Sequence, residues 1–352
     1  MAIAIPIWTA RFGEVVLQPP FGVKPRPYGG AFTYLDINEG KMIEHYDVIV
    51  VGGGPAGSSA ALILGRSRLK VLLIDKATPR NIRTDGIHGF ITRHDVKPIE
   101  FRKLAHAEVL AVGVEMLIGT VVQLQPIDPG FIVHLEDGGR KKADRVVVAT
   151  GLHDRLPDVE GLDRFYGQSV FHCPFCDGWE MRDRPLAVIA SAKKAVPIAR
   201  GLLTWSSDVM VFTNGDRISR EDRSKADEAE IPVFIQRIVR VTGVRGQVEN
   251  IELSDGQAIA RSGIFFDPAS SQQCTIATEL GCRVTRSGAI YTDKRQRTGI
   301  DGLYVAGDAA ADPNMVAVAS ADGVKAALNI VQEMQRAGHW LPGSRREREK
   351  AG

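Results

Sequence analysis

The chain has 352 residues, of which 44% are hydrophobic and 24% charged, an ordinary globular composition that excludes disordered and collagen-like classes. Its 44 Lys and Arg residues against 42 Asp and Glu residues leave a net charge of +2, so no charge excess favours nucleic acid or an anionic membrane as partner. Four cysteines are too few for a disulfide-stapled secreted fold, and no apolar run approaches the ~18 residues of a membrane span. At roughly 100–200 residues per domain, we expect two domains.

The two ends of the chain lack regular patterning. Residues 1–41 are rich in proline and glycine and hold no helical or strand period, which predicts an irregular N-terminal arm. They also lack the basic start and apolar run of an export signal, so we expect a cytoplasmic protein. A second interpretation is that translation begins at Met42, which the intact mass of the native protein would decide. Residues 337–352 include the charge run SRREREKAG, which we interpret as a solvated tail.

The first clear element is a strand that runs into a glycine-rich turn. Residues 46–51 (YDVIVV) are typical of a buried parallel strand, and residues 52–57 carry the G-x-G-x-x-G spacing. A small-residue helix at 56–67 and a second strand at 70–74 follow, and that strand ends in Asp75. This order predicts a dinucleotide site, with phosphate on the helix N-terminus and a ribose hydroxyl on the acid. The residues predicted to contact the cofactor here are Gly52, Gly54, Pro55, Ala56, Gly57 and Asp75.

Two later segments belong to the same unit. Residues 145–149 (RVVVA) and 303–306 (LYVA) are strand-like, each ends in a turn that contains glycine, and a small-residue helix follows the second at 316–334. An Asp on such a turn can accept a hydrogen bond from a ribityl hydroxyl, and the next helix can direct its positive end at a flavin ring oxygen. Together they favour FAD over NAD as the cofactor. The residues predicted to line it here are Thr150, Gly151, Gly307, Asp308, Val316 and Ala317.

The segment CPFCD at 173–177 is the most informative for chemistry. Cys173 and Cys176 are spaced so that their thiols can close a small disulfide ring, and a helix N-terminus can lower the pKa of one of them. The thiolate is the attacking species in disulfide exchange. Asp177 is a candidate to move protons, and His172 is a second acid–base candidate.

The cysteines and histidines also allow other interpretations. A C-x-x-C pair is also half of a zinc site, but Cys274 and Cys282 do not form a second pair, so we predict no metal and expect those two cysteines to fill space. His88 and His94 lie on the cofactor side of the chain. Each is either a flavin or substrate contact or an ordinary loop residue.

Between about residues 46 and 334 the chain resembles the low-molecular-weight thioredoxin reductases, which are class II pyridine nucleotide-disulfide oxidoreductases, and their flavin-dependent dithiol/disulfide relatives. The resemblance rests on motifs in the family order at residues 52–57, 149–151, 173–178 and 302–308. It implies an α/β fold of two Rossmann-like, doubly wound domains. The FAD-binding domain would comprise 42–156 and 267–336, and a smaller inserted domain at 157–266 would carry the cysteine pair.

The resemblance also implies roles. Cys176 would lie against the flavin, Cys173 would be the interchange thiol that reaches the substrate, and Asp177 would be the proton donor. The protein would be a homodimer that acts on a thioredoxin-like protein or on a small dithiol or disulfide.

The chain departs from the family where a thioredoxin reductase binds NADPH. After the strand at 186–189, the expected glycine turn is replaced by ASAKKA at 190–195, and a positive φ at Ala190 or Ala192 would be strained. The next strand, at 208–213, ends near Asp216, which would repel a phosphate, and only Arg217 is close. We therefore predict a degenerate NADPH site.

Without NADPH, electrons must enter elsewhere. In one hypothesis a small dithiol reduces the cysteine pair and O2 reoxidises FAD, as in the dithiol oxidases of disulfide-containing natural products, although those enzymes often carry His where this chain has Asp177. In another, ferredoxin feeds the flavin and the enzyme reduces thioredoxin. A different class is a non-catalytic flavin redox sensor. A flavin monooxygenase would leave Cys173 and Cys176 without a role.

Overall fold

The computed structural model describes residues 34–35, 42–310 and 313–338. Most of the predicted N-terminal arm and of the charged tail therefore lies outside the described residues. Within the arm, Tyr34–Leu35 form a short strand that pairs with the beginning of the next strand, an element that the sequence patterning did not indicate.

A mixed sheet of eight strands organises the first part of the chain. Its order is β4-β3-β2-β7-β6-β5, with β1 paired to β2 and a late strand, β18, paired to β7. The pairs β2–β3, β2–β7, β3–β4 and β7–β18 are parallel, whereas β5, β6 and β7 form an antiparallel meander. The first elements in chain order are β1 Tyr34–Leu35, β2 Met42–Val51, α1 Pro55–Arg66, β3 Val71–Asp75, α2 Pro98–Ala111, β4 Glu115–Ile118, β5 Val121–Pro126, β6 Phe131–Leu135 and β7 Arg140–Val148.

A second sheet of five strands has the order β12-β11-β10-β16-β9, and all of its pairs are parallel. A three-stranded antiparallel sheet, β13-β14-β15, accompanies it. Its elements and their neighbours are β8 Leu152–His153, β9 Val170–Phe171, α3 Pro174–Asp177, β10 Leu186–Ile189, α4 Ala192–Leu202, β11 Val209–Phe212, α5 Arg220–Glu228, β12 Val233–Phe234, β13 Ile238–Val244, β14 Gln247–Leu253, β15 Ala258–Ala260 and β16 Gly263–Phe266.

The chain then returns to the first sheet. The last elements are β17 Ser271–Gln272, α6 Ile276–Glu279, β18 Leu303–Val305 and α7 Val316–Arg336. The prediction of two Rossmann-like units is confirmed. The predicted strands and helices of the motifs agree with the observed ones to within two residues, except that β2 begins four residues and β7 five residues earlier than predicted. The antiparallel meander was not predicted.

Burial explains why these runs form strands. Every residue of β3 and β10 is buried, because both faces of each sheet are covered. The first sheet has α1 and α7 on one face and β5, β6 and α6 on the other, and the second sheet has α4 and α5 on one face and β13 and β14 on the other. In the first unit α1 packs closely on α7, where a side chain at Gly323 would meet the backbone oxygen of Ala56 at 2.0 Å. Only glycine permits this approach, which holds both helices over the glycine turn that follows β2.

The two units are joined by a two-stranded ribbon. Strand β8 leaves the first sheet and β17 returns to it, and the two pair antiparallel, with His153 opposite Ser271 and Leu152 opposite Gln272. The side chain of Ser270 donates a hydrogen bond of 2.7 Å to Asp154 across the same crossing. We propose the unit boundaries near 156 and 267 beside this ribbon. Among the described residues, none of the helices has the length and apolarity needed to cross a bilayer.

Candidate active site

The glycine turn after β2 shows a separate steric reason for each motif glycine. Gly52 has φ +106°, and a Cβ there would lie 2.3 Å from the carbonyl oxygen of Ala149. A Cβ on Gly57 would lie 1.7 Å from the oxygen of Gly52. At Gly54 an added Cβ would meet nothing within 4 Å, so this glycine faces open space. The turn thus packs against protein on one side and presents bare backbone on the other.

The open side lies at the carboxyl edge of the first sheet, where the parallel strands β2, β3, β7 and β18 end together. The Thr150 hydroxyl is buried there and has no hydrogen-bond partner within the described part of the chain, as expected of a group that contacts a ligand. The structure brings all the sequence-predicted cofactor residues to this edge, namely Gly52, Gly54, Pro55, Ala56, Gly57, Asp75, Thr150, Gly151, Gly307, Asp308, Val316 and Ala317.

These residues fit FAD. Bare backbone at Gly54 and the N-terminus of α1 suit a pyrophosphate, and the N-terminus of α7 at Val316 suits the electron-rich edge of a flavin ring. When bound there, FAD supplies a two-electron acceptor or donor.

Asp75 is less available to a ribose hydroxyl than the motif implies. It is buried, and its carboxylate accepts a hydrogen bond of 3.0 Å from the Gly53 amide and contacts Arg102. His106 lies 3.0 Å from the Gly53 carbonyl oxygen. Arg102 and His106, both on α2, therefore brace the turn from outside, and the sequence motif does not indicate either of them.

Arg80 connects the flavin side to the ribbon between the units. Its guanidinium donates to both carboxylate oxygens of Asp154, at 2.6 and 2.7 Å, and to Asp308 at 2.9 Å. Burial opposes the ionised form of Asp154, but the pair with Arg80 lowers the pKa of that carboxyl below its usual value. Burial raises the pKa of Asp308, and Arg80 only partly opposes this effect. Arg80 therefore neutralises two acids that would otherwise repel each other.

The cysteine pair closes a disulfide on the turn after β9. The Cα atoms of Cys173 and Cys176 are 5.3 Å apart. Cys173 caps α3, and its sulfur accepts a hydrogen bond of 3.1 Å from the Cys176 amide, while Pro174 occupies the first turn of the helix. Phe175, between the cysteines, is 76% exposed, so this side of the turn faces solvent.

The opposite side of the turn faces the first unit. Asp177 is buried, and His88, from the loop at 87–96, lies 3.5 Å from its carboxylate and 3.1 Å from the Cys176 carbonyl oxygen. From the sequence, His88 could be a flavin contact, a substrate contact or a loop residue. In the structure its imidazole contacts the disulfide turn. His94 is 64% exposed and pairs with Asp95.

His172 lies in a chain of polar groups that leads back to Arg80. The hydroxyl of Tyr166 is 3.3 Å from His172 Nδ1 and donates to Asp154 at 3.3 Å. Burial, with a further contribution from Arg80, lowers the pKa of His172. The imidazole next to Cys173 is therefore neutral at neutral pH, as a proton acceptor must be.

The second unit's candidate nucleotide site differs in part from expectation. Ala190 and Ala192 do not have positive φ values, so the turn before α4 forms without the strain that the sequence analysis anticipated. The basic cluster is also larger, because the Arg237 side chain lies beside Gly215, next to Asp216 and Arg217. Arg237 was not predicted, because it is distant from Gly215 in the chain.

An apolar cavity of about 480 Å³ lies at the switch point of this second sheet, between α4 and the turn after β16. Aromatic and proline side chains dominate its lining, with His172 as one of the few polar groups. Pro174 and Phe175 of the disulfide turn form one wall, and Trp205 and Phe266 contribute to the others.

The remaining cysteines lie away from this site. Cys282 is buried in the core of the first unit and Cys274 packs against the same cluster, and burial raises the thiol pKa of both. In the described part of the chain, no group of His, Cys, Asp and Glu side chains is arranged to hold a metal ion.

Comparison with known proteins agrees with this geometry. The family model for pyridine nucleotide-disulphide oxidoreductases matches residues 46–323. The chain belongs to this family. It is a flavin-dependent disulfide oxidoreductase of the thioredoxin reductase-like type, and membership implies FAD binding and a thioredoxin-type or other disulfide partner.

Individual relatives support this placement. A protein of Arthroderma benhamiae assigned as a thioredoxin reductase is 28% identical over 366 residues, which cover 92% of this chain and 84% of the relative. Among solved structures, TrxB of Bacillus anthracis, also assigned as a thioredoxin reductase, is 32% identical with a TM-score of 0.80 and covers 84% of this chain and 100% of its own. An oxidoreductase from Agrobacterium tumefaciens is 31% identical with a TM-score of 0.77, covering 83% and 99%.

Proposed function

We propose that this flavoenzyme exchanges electrons between a dithiol or disulfide substrate and FAD through Cys173 and Cys176, and that NADPH is not its electron source. The contact of His88 with the Cys176 carbonyl carries the first part of the proposal. Through it, the disulfide turn meets a loop of the unit that holds the predicted FAD residues. On this contact we assign Cys176 to the flavin-facing side and Cys173 to the substrate-facing side.

The thiol–disulfide exchange then proceeds in two steps. A substrate thiolate attacks the Cys173 sulfur, which forms a mixed disulfide and releases the Cys176 thiolate. The second substrate thiolate then attacks the substrate sulfur that is bonded to Cys173 and releases the Cys173 thiolate, which leaves an oxidised substrate and two reduced cysteines. We assign the acceptance of the substrate proton to neutral His172, which is adjacent to Cys173 in the chain. Asp177, adjacent to Cys176, is assigned the movement of the other proton.

The second part of the proposal concerns NADPH. The turn at 190–192 carries side chains where a pyrophosphate requires bare backbone, and Asp216 lies in the predicted phosphate pocket, although Arg217 and Arg237 are near it. The cavity at the switch point is apolar and aromatic, unlike a site for a charged nucleotide.

This cavity favours, as a second candidate, an oxidase of a small apolar dithiol. Its wall includes Pro174 and Phe175, next to the interchange sulfur, and cavities of this size suit small molecules. Overall, one dithiol and one O2 would give one disulfide and one hydrogen peroxide. Reduction of a thioredoxin-like protein with electrons from ferredoxin is the alternative direction.

Anaerobic titration of the FAD-loaded protein tests the proposal. NADPH, NADH and dithiothreitol are added separately while the flavin absorbance is followed. We expect dithiothreitol to bleach the flavin and both nucleotides to leave it oxidised. Rapid bleaching by NADPH would overturn the nucleotide part. In a separate aerobic assay with dithiothreitol, repeated turnover with oxygen uptake identifies an oxidase, whereas one stoichiometric reduction without turnover identifies a redox sensor.

A further inference from the structure

His88 lies where the first unit meets the disulfide turn, and its Nδ1 atom faces three oxygen atoms. It is 3.1 Å from the Cys176 carbonyl oxygen, 3.5 Å from Asp177 Oδ1 and 3.7 Å from Glu180 Oε2. This Glu180 oxygen is buried and has no hydrogen-bond partner among the described residues, so the ion pair with His88 helps to offset its charge. A bare nitrogen lone pair directed at these oxygens would be repelled, so Nδ1 must carry a proton.

The other ring nitrogen also faces an acceptor. His88 Nε2 is 3.1 Å from Asp95 Oδ1, within a loop that backbone hydrogen bonds between Ile87 and Val96 and from Asp95 to Ile87 hold closed. Because both nitrogens face oxygen atoms, only the imidazolium satisfies the site. The carboxylate of Asp177, with those of Glu180 and Asp95, raises the pKa of His88 to about 9 against the opposing effect of burial.

We propose that His88 is a positioning residue for the thiol–disulfide reaction: as a cation it holds the Cys176 carbonyl and the Asp177 carboxylate, and so fixes the disulfide turn against the 87–96 loop of the first unit. The reaction itself rests on the function proposed above. The charged and titratable groups that face His88 are Asp177 and Glu180 from the disulfide turn and Asp95 and His94 from its own loop.

The pH dependence follows from the direction of the shift. A histidine whose pKa is raised on folding contributes its full stabilisation of the folded state when the pH is below its ordinary pKa of 6.5. This stabilisation is lost as the pH rises through the raised pKa of about 9. The turn is therefore held at neutral pH and released in alkaline solution.

Three variants separate charge from structure. His88→Gln keeps a hydrogen-bond donor without the charge, His88→Lys keeps the charge to higher pH, and His94→Gln is the control at an exposed neighbour. The first measurement is hydrogen exchange of the backbone amides of 175–180 in the full chain, expressed at each pH as the ratio of the exchange rate in the variant to that in the unaltered protein. Taking the ratio cancels the base-catalysed rise of the exchange rate with pH, which is the same in the variant and the unaltered protein.

We expect His88→Gln to speed exchange about tenfold near neutral pH, the effect of losing one charge-assisted contact, and the ratio to approach one above pH 9. His88→Lys should remain within about twofold of the unaltered protein, and His94→Gln should match it. Unchanged exchange in His88→Gln, or exchange in His88→Lys as fast as in His88→Gln, would overturn the proposal.

The second measurement is dithiothreitol oxidation by the FAD-loaded protein. His88→Gln should lower kcat about tenfold with little change in KM and remove the fall in rate near pH 9, and His88→Lys should restore kcat. An unaltered pH profile in His88→Gln argues against the positioning role. If the unaltered protein does not oxidise dithiothreitol, the proposed function fails, and the exchange data alone decide whether His88 holds the turn.

Discussion

Replacing Arg80 by methionine should strongly destabilise the protein. The Asp154 side chain is 3% exposed and that of Arg80 15%, so the pair is largely removed from water. Arg80 donates three hydrogen bonds to Asp154 and Asp308, and at about 1.5 kcal/mol each they sum to about 4.5 kcal/mol. The same range, about 3–5 kcal/mol, is typical when one partner of a buried ion pair is removed. We expect a loss of about 4 kcal/mol.

Urea unfolding followed by circular dichroism measures this loss. The matched control is Arg83→Met, an exposed neighbour whose guanidinium donates to a backbone oxygen, that of Asp163, at 3.0 Å. It should cost less than about 1 kcal/mol. The double variant Arg80→Met/Asp154→Asn should regain at least half of the loss, because the unpaired charge at 154 is then absent.

The pH dependence gives an independent check. Arg80 lowers the pKa of Asp154, so the stabilisation from this pair is present above the ordinary value of 3.8 and is lost as the pH falls through the lowered value. Without Arg80, Asp154 protonates more readily. The difference in unfolding free energy between the unaltered protein and Arg80→Met should therefore shrink in mild acid. A loss below about 1 kcal/mol at neutral pH, or an equal loss in Arg83→Met, would refute the reasoning.

Other expectations concern the cofactor turn and the disulfide. Gly54→Ala adds a methyl group to open space, so thermal unfolding of the FAD-free protein should be unchanged while FAD affinity, measured by flavin fluorescence, falls at least about tenfold. Gly57→Ala places a Cβ 1.7 Å from a backbone oxygen and should destabilise even the FAD-free protein. Cys173→Ser and Cys176→Ser should each retain bound FAD, seen in its absorbance, and lose dithiol turnover at least about a hundredfold. Because burial lowers the pKa of His172, thiol exchange should slow only below its ordinary 6.5, and His172→Gln should abolish this acid limb in a stopped-flow pH profile.

The flavin side was predictable because its signals are contiguous. Each fingerprint joins a buried strand, a glycine turn and a helix within a few residues, and backbone sterics alone determine the residue type at Gly52 and Gly57. The carboxyl ends of parallel strands meet at one edge, so the segments at 150–151 and 307–308 could be assigned to one site before any coordinates were known.

The contacts between the units could not be predicted in this way. Arg80 meets Asp308 across 228 residues of sequence, and His88 meets Cys176 across 88. No periodicity records such pairs, and a lone histidine in a loop has no pattern that distinguishes it from a solvated one. The same limitation hid Arg237 beside Gly215. The prediction of backbone strain at Ala190 was wrong for a different reason: the turn forms there without a positive φ.

The ribbon of β8 and β17 bears on how this architecture was assembled. Leu152 and His153 lie directly opposite Gln272 and Ser271, so the chain leaves and re-enters the first sheet at adjacent points. A tight hairpin of about two residues could close the same gap. The 154–270 segment is therefore inserted without distorting its host, as a module grafted into a surface loop would be. A shortened chain that replaces it with such a hairpin would retain every strand of the first sheet and every predicted FAD contact.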